Sequence, residues 1–154
     1  MLVYLKRVTF DHDTVRCISI EETEKSIDIV MYLDNSRHVL HRIDLTKSND
    51  YADIVSAELI KEFYDQLMVE MYRRVKSNQL SKNGENFKHY EKELDKIVNN
   101  FKNWFITNEE YNKLSNDRLN VETLEEAFEI RDKIDELSQK IYNEAVYAID
   151  RLFK

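Results

Sequence analysis

Proline is absent from the 154 residues, and glycine occurs once, as Gly84. Loops that cradle phosphates need glycine, because only a residue without a Cβ lets the backbone approach the anion closely. A dinucleotide-binding fold and a P-loop are therefore excluded, and so is a nucleophile elbow with flanking glycines. Cysteine also occurs once, as Cys17, so no internal disulfide can form. In its strand-like stretch Cys17 reads as a small core residue. No uninterrupted apolar run is longer than that of "IVMYL", which is far too short to span a bilayer. "MLVYLKRVTF" has no long apolar run ahead of its charges, so it does not read as a signal peptide. With no such segments the protein is expected in the cytoplasm, that of a bacterial host by the coding bias described below.

Cations are in the minority. There are 23 Lys and Arg against 30 Asp and Glu, a formal net charge of −7. Gripping a phosphate backbone depends on Lys and Arg releasing counterions, so direct nucleic-acid binding is disfavoured. The most basic stretch, "YRRVKSNQLSK", carries Arg73, Arg74, Lys76 and Lys82. Its charges fall near an expected helix C-terminus, where they complement the dipole. Hydrophobic residues make up 42% and charged residues 34%, a globular balance rather than a disordered one. A chain of this length buries roughly 68–70% of its unfolded surface and needs neither metal nor disulfide to hold a core. Abundant Lys, Asn, Ile, Glu, Asp and Tyr reads as the coding bias of an AT-rich bacterial or phage genome.

The hydrophobic period divides the chain into two parts of one expected domain, 1–154. Over 1–46 it is two. Ile27, Ile29, Met31 and Leu33 alternate with Ser26, Asp28, Val30 and Tyr32, the pattern of a half-buried strand. "LVYLKRVTF", "TVRCISIEE" and "RHVLHRIDL" complete a predicted four-stranded antiparallel meander, with turns at "DHD", "IEETEK" and "DNS". On the last strand, Val39, Ile43 and Leu45 are expected on one face together with His41. Over 50–154 the period becomes helical. Ile60, Phe63, Leu67, Met71 and Val75 mark a first helix, capped by Ser48, Asn49 or Asp50. A break follows near 81–86, around Gly84. Phe87, Tyr90, Leu94, Ile97, Phe101 and Trp104 mark a second helix, with Phe101 and Trp104 expected to be buried. Thr107 and Glu110 stand at capping-box spacing before a short third helix. A last helix, from about Glu122 to Phe153, would be about 48 Å long, with Leu124, Phe128, Ile134, Leu137, Ile141, Ala145, Ala148 and Leu152 on its apolar side. The fold class is α+β: an N-terminal antiparallel sheet followed by a helical C-terminal half.

Residues with the spacing of a catalytic or metal site are few. His38 and His41 are three apart, which on a regular strand points them to opposite faces. Asp11, His12 and Asp13 offer metal ligands but sit at a turn, where Asp is expected for turn geometry alone. Glu21, Glu22, Glu24 and Lys25 have the residue types of a metal-dependent nuclease, again at a turn. No catalytic residue, cofactor site or metal site is assigned, and the chain reads as a non-enzyme.

One feature does stand out. Glu122, Glu125, Glu126, Glu129, Asp132 and Glu136, with Lys133 among them, fall on a single helical stripe opposite the apolar side. Between Glu109 and Glu136 there are ten acids and four bases, so this segment holds −6 of the chain's −7. The dipole welcomes acids in the first turn but does not account for Glu129 to Glu136. Such a face is either solvated surface or the complement of a basic groove, where charge steers association. A second acidic group, Asp11, Asp13, Glu21, Glu22 and Glu24, is a secondary candidate.

In build the chain resembles the small acidic inhibitor proteins of phages and mobile elements, anti-CRISPR proteins among them. The resemblance lies in size, charge, scarcity of Gly and Pro, and the plan of a sheet followed by helices. It includes no motif, so no functional residue transfers from it. It implies a protein-binding inhibitor, monomeric when free. The implied target is a host nucleic-acid enzyme such as a Cas9-type nuclease with its basic channel. Inhibition would come from occupying the nucleic-acid groove or immobilising a nuclease domain. The rival readings are a small metal-dependent enzyme and an oligomeric structural or regulatory protein paired through the last helix.

Overall fold

The computed structural model describes residues 2–6, 8–45, 51–77 and 87–154. The expected caps Ser48, Asn49 and Asp50, the break near 81–86 with Gly84, and Lys82 lie outside the described residues. The architecture is α+β, with antiparallel strands first and helices after them. The strands are β1 (Leu2–Leu5), β2 (Val8–Asp11), β3 (Val15–Glu22), β4 (Ser26–Leu33) and β5 (Arg37–Asp44). The helices are α1 (Tyr51–Lys76), α2 (Lys88–Thr107), α3 (Glu109–Arg118) and α4 (Leu124–Leu152).

The four-stranded meander is corrected to a hairpin, β1–β2, and a separate three-stranded sheet in the order β3–β4–β5. "LVYLKRVTF" is not one strand, because it folds back on itself with Leu5 opposite Val8. Lys6, at φ 48°, takes the left-handed turn position that glycine usually fills. The chain has no glycine here, and this is why the turn was not visible in the pattern.

β4 is the central strand, and its odd-numbered residues face the helices. Ile27, Ile29 and Met31 are buried in the main core. Both flanking strands carry a bulge. Val15 pairs with Leu33 and Cys17 with Tyr32, which leaves Arg16 as the extra residue. Ile29 pairs with His41 and Val30 with Val39, which leaves Leu40 as the extra residue. Each bulge reverses the alternation. Val15 thus shares the core face with Ile18 and Ile20, while Cys17 is exposed on the outer face, with Sγ 3.7 Å from Ser19 Oγ. In β5 the buried residues are Leu40 and Ile43, and Val39 is exposed. These placements correct the core reading of Cys17 and the shared face of Val39 with Ile43.

α1 lies between the sheet and the other helices, and it is buried on most of its circumference. Ala52, Ala57, Leu59, Ile60, Phe63, Tyr64, Leu67, Met68 and Met71 are all core residues, as expected of a helix covered on several sides. α4 runs alongside α1 in the same direction, with Tyr51 bonded to Asp135 and Gln66 to Asp150. α2 runs antiparallel to both: Tyr64 reaches Glu91, Lys102 meets Asp53, and Tyr90 stacks on Phe153. On α2 the buried stripe is Leu94, Val98, Phe101 and Phe105. Phe101 is buried as expected. Trp104 is only half-buried, packed against Phe105 at 4.8 Å, because the stripe is rotated by one residue toward Phe105.

Candidate functional site

The acidic stripe is carried by a helical hairpin, α3 and the first turns of α4. Its geometry comes from two caps. At the corner after α2, Asn108 is extended (φ −81°, ψ 115°), and its side chain accepts from Tyr111 N at 2.9 Å. The expected box of Thr107 with Glu110 is not used. Thr107 remains the last residue of α2 and donates to Asn103 O at 2.9 Å. At the start of α4, Thr123 accepts from Glu126 N at 3.2 Å, and Glu126 Oε2 accepts from Glu122 N at 3.2 Å. "TLEE" is the sequence signal for this reciprocal cap.

Tyr51 at the start of α1 meets α4 at Asp135. The stretch from Leu124 to Ile134 therefore continues for about 16 Å past that contact, alongside α3. In this stretch Ile134 is the buried residue. Leu124 and Phe128, expected on the apolar side, are 70% and 47% exposed, because the neighbouring helices do not reach them. The Arg131 guanidinium lies over the Phe128 ring at 4.9 Å.

Glu122, Glu125, Glu126, Glu129, Asp132 and Glu136 are all exposed. Among the described residues the stripe has one ion pair, Arg131 to Asp132 at 3.8 Å, with both side chains largely in water. The carboxylates of Glu122, Glu125, Glu129 and Glu136 face solvent without a cation. Between α3 and α4, Asp117, Glu126, Glu129 and Lys133 line a groove of about 390 Å³. Such a surface can attract and orient a cationic partner.

The second acidic group is not brought together. Asp11 and Asp13 lie at the short 3₁₀ turn, His12–Thr14, that precedes β3. Glu21, Glu22 and Glu24 lie at the far end of that eight-residue strand, on the order of 25 Å away. Asp11 accepts from Asp13 N at 3.1 Å, and this bond holds its carboxyl below the usual range. Glu21 is taken by Arg37, whose Nη2 and Nε donate to Oε2 at 2.5 and 3.1 Å, and by the Tyr32 hydroxyl. Arg37 first, then Tyr32, hold the Glu21 carboxyl low. Beside it, Asp28 is almost fully buried and is forked by Arg42 at 2.8 and 2.9 Å, which depresses its carboxyl as well.

The histidines are differently placed. His12 Nε2 donates to Met68 O at 3.0 Å and ties the turn to α1. The bulge at Leu40 puts His38, opposite Met31, and His41, opposite Ile29, on the same face of β5, which corrects the expectation of opposite faces. Burial pushes the His41 imidazole below its ordinary pKa. Among the described residues no three His, Cys, Asp or Glu side chains converge as a metal site. Arg73 and Arg74 of the basic segment both clasp Glu70. No described helix is long and apolar enough to cross a membrane. No protein-family model, curated protein or solved structure matches the chain.

Proposed function

We propose that the protein is a non-enzymatic inhibitor that binds a basic surface of a host nucleic-acid enzyme, with the α3–α4 hairpin as its contact surface. The observation that carries this reading is the exposed row Glu122, Glu125, Glu126, Glu129, Asp132 and Glu136, whose charge is left almost uncompensated within the chain. Acids folded into a structure acquire partners, as Glu21, Asp28 and Glu70 do here. A long unpaired row costs a few tenths of a kcal/mol per like-charge contact along the helix. It also lowers the barrier to encounter with a positive groove. Leu124 and Phe128 beside the row supply the apolar contact area that a purely charged surface lacks.

In this reading the chain works as a monomer in the cytoplasm of a bacterial host, carried by a phage or mobile element. The target is an enzyme whose nucleic-acid channel is basic, a Cas9-type nuclease being the leading case. The acids then occupy the positions of backbone phosphates, or they anchor a nuclease domain away from its substrate.

The test begins with affinity capture from an AT-rich bacterial host. Association kinetics follow, on the captured enzyme, for wild type and for Glu129→Lys/Asp132→Lys/Glu136→Lys. The wild-type association rate should fall steeply between low and physiological salt, and the variant should bind at least about tenfold more slowly. Equal rates at both salt concentrations would reduce the stripe to a solvated face.

A further inference from the structure

A second site lies away from the hairpin tip. α1 and α4 enclose a cleft of about 280 Å³ lined by Tyr51, Val55, Glu58, Asp135, Ser138 and Tyr142 among others. Its walls are built rather than accidental. The Tyr51 hydroxyl donates to Asp135 Oδ1 at 2.7 Å and so fixes that carboxylate. The Tyr51 ring is held by Phe105 at 5.8 Å and Tyr111 at 6.4 Å. Ser138, 5% exposed, closes the α4 side and donates to Asp135 O at 3.2 Å. Tyr142 is set against Phe101 at 6.3 Å.

The cleft is also negative. No Lys or Arg lines it. Every other acid on α1 is engaged: Asp53 by Lys102, Asp65 by Lys61, Glu70 by Arg73 and Arg74, and Glu62 by the Gln66 amide. Glu58 alone, at the cleft, has no hydrogen bond or ion pair among the described residues. Both phenols titrate above their usual range, first through burial. Asp135 then adds to the effect at Tyr51, and Glu58 and Glu62 add to it at Tyr142.

Two exposed carboxylates beside two half-buried aromatic rings in one cleft suit a compact organic cation. The carboxylates give charge-assisted hydrogen bonds, and the rings give cation–π attraction. They do not form the cage of six or more oxygens that Ca²⁺ takes. We propose that this cleft binds one alkylammonium or guanidinium group, with Glu58 and Asp135 as its charge partners and Tyr51 and Tyr142 as its aromatic walls. The group can be the Lys or Arg side chain of a protein, or the end of a free polyamine. The assignment stands whether or not the hairpin binds an enzyme.

The test is an aromatic-region NMR titration of the whole chain with Nα-acetyl-arginine amide, with spermidine, and with neutral Nα-acetyl-glutamine amide. One or both cations should shift the Tyr51 and Tyr142 ring signals saturably, and the neutral amide should not. Glu58→Gln should weaken binding about five- to tenfold, the loss of one charge-assisted contact. Glu58 makes no contact that holds the fold, so this variant should melt with wild type. Tyr142→Phe should retain binding and Tyr142→Leu should lose it. Saturation by the arginine amide alone assigns the cleft to a protein side chain, and saturation by spermidine alone assigns it to polyamines. The assignment is overturned if neither cation saturates by tens of millimolar, or if affinity is unchanged in both Glu58→Gln and Asp135→Asn.

Discussion

The outer face of the sheet and the outer face of the α3–α4 hairpin are both rich in carboxylates, and the fold treats them in opposite ways. On the sheet, Glu21 and Asp28 are each gripped by arginine, and Asp28 sinks almost out of solvent beneath Arg42 and Arg37. On the hairpin, six acids share one loose contact with Arg131. The first arrangement spends its charge inside the molecule, whereas the second leaves it directed outward. The difference separates acids that hold the structure together from acids that are free to meet another molecule. Composition alone cannot draw that line.

The largest contrast comes from making the same substitution in the helical core and on the hairpin. Phe101→Ala, at a side chain 1% exposed, should cost about 3–5 kcal/mol in urea denaturation. Phe128→Ala, at a side chain 47% exposed, should cost less than about 1 kcal/mol. Comparable losses would mean that the hairpin belongs to the core. The next largest effect concerns the paired acids. Asp28→Ala strips the partner from Arg42 and should cost about 1–3 kcal/mol, at the low end if Arg42 regains water. A chemical-denaturation midpoint equal to wild type would remove Asp28 from the structural class.

Acidification sharpens the contrast further. His41 is depressed by burial, so below its ordinary pKa of about 6.5 the unfolded chain binds a proton that the native state refuses. Stability should therefore decline as pH falls from about 7, by no more than about 1.4 kcal/mol per pH unit for one proton, until the native pKa is crossed. Urea midpoints for His41→Leu should lack this slope. Glu21 and Asp28 have depressed native pKa values, so their contribution is complete above the ordinary carboxyl range near 4. That contribution is lost only as pH falls below this range. The smallest effect is expected on the stripe. Glu129→Lys, Asp132→Lys and Glu136→Lys should each change stability by no more than about 0.5 kcal/mol in thermal melts. A larger loss would show that the stripe serves the fold.

Much of the fold was legible because period and length survive in the sequence. The first helix pattern, the 3–4 rhythm from Leu94 to Phe101, and the alternation of Ile27, Ile29 and Met31 correspond to α1, α2 and the core face of β4. The errors share a cause: one residue can change a phase without changing the pattern around it. Lys6 turns the chain with no glycine to signal it. Arg16 and Leu40 reverse their strands, which moved Cys17 and Val39 outward and brought His38 and His41 to one face. Trp104 yielded its expected place to Phe105 by a similar one-step rotation. The acids of the stripe were readable as a row, since helical spacing alone aligns them. The cleft was not, because Glu58 and Asp135 are 77 residues apart and meet only through the packing of α1 on α4.

The two bulges also bear on how the sheet meets other molecules. β3 and β5 are the borders of the three-stranded sheet, and each interrupts its own ladder, at Arg16 and at Leu40. A strand arriving from another copy would find no straight row of amides and carbonyls to match, and it would meet charges such as Arg16, Arg37 and Arg42 along the way. Main-chain zippering, the route by which open borders grow into fibrils, is disfavoured on both sides. Association is left to side chains, where it can be selective.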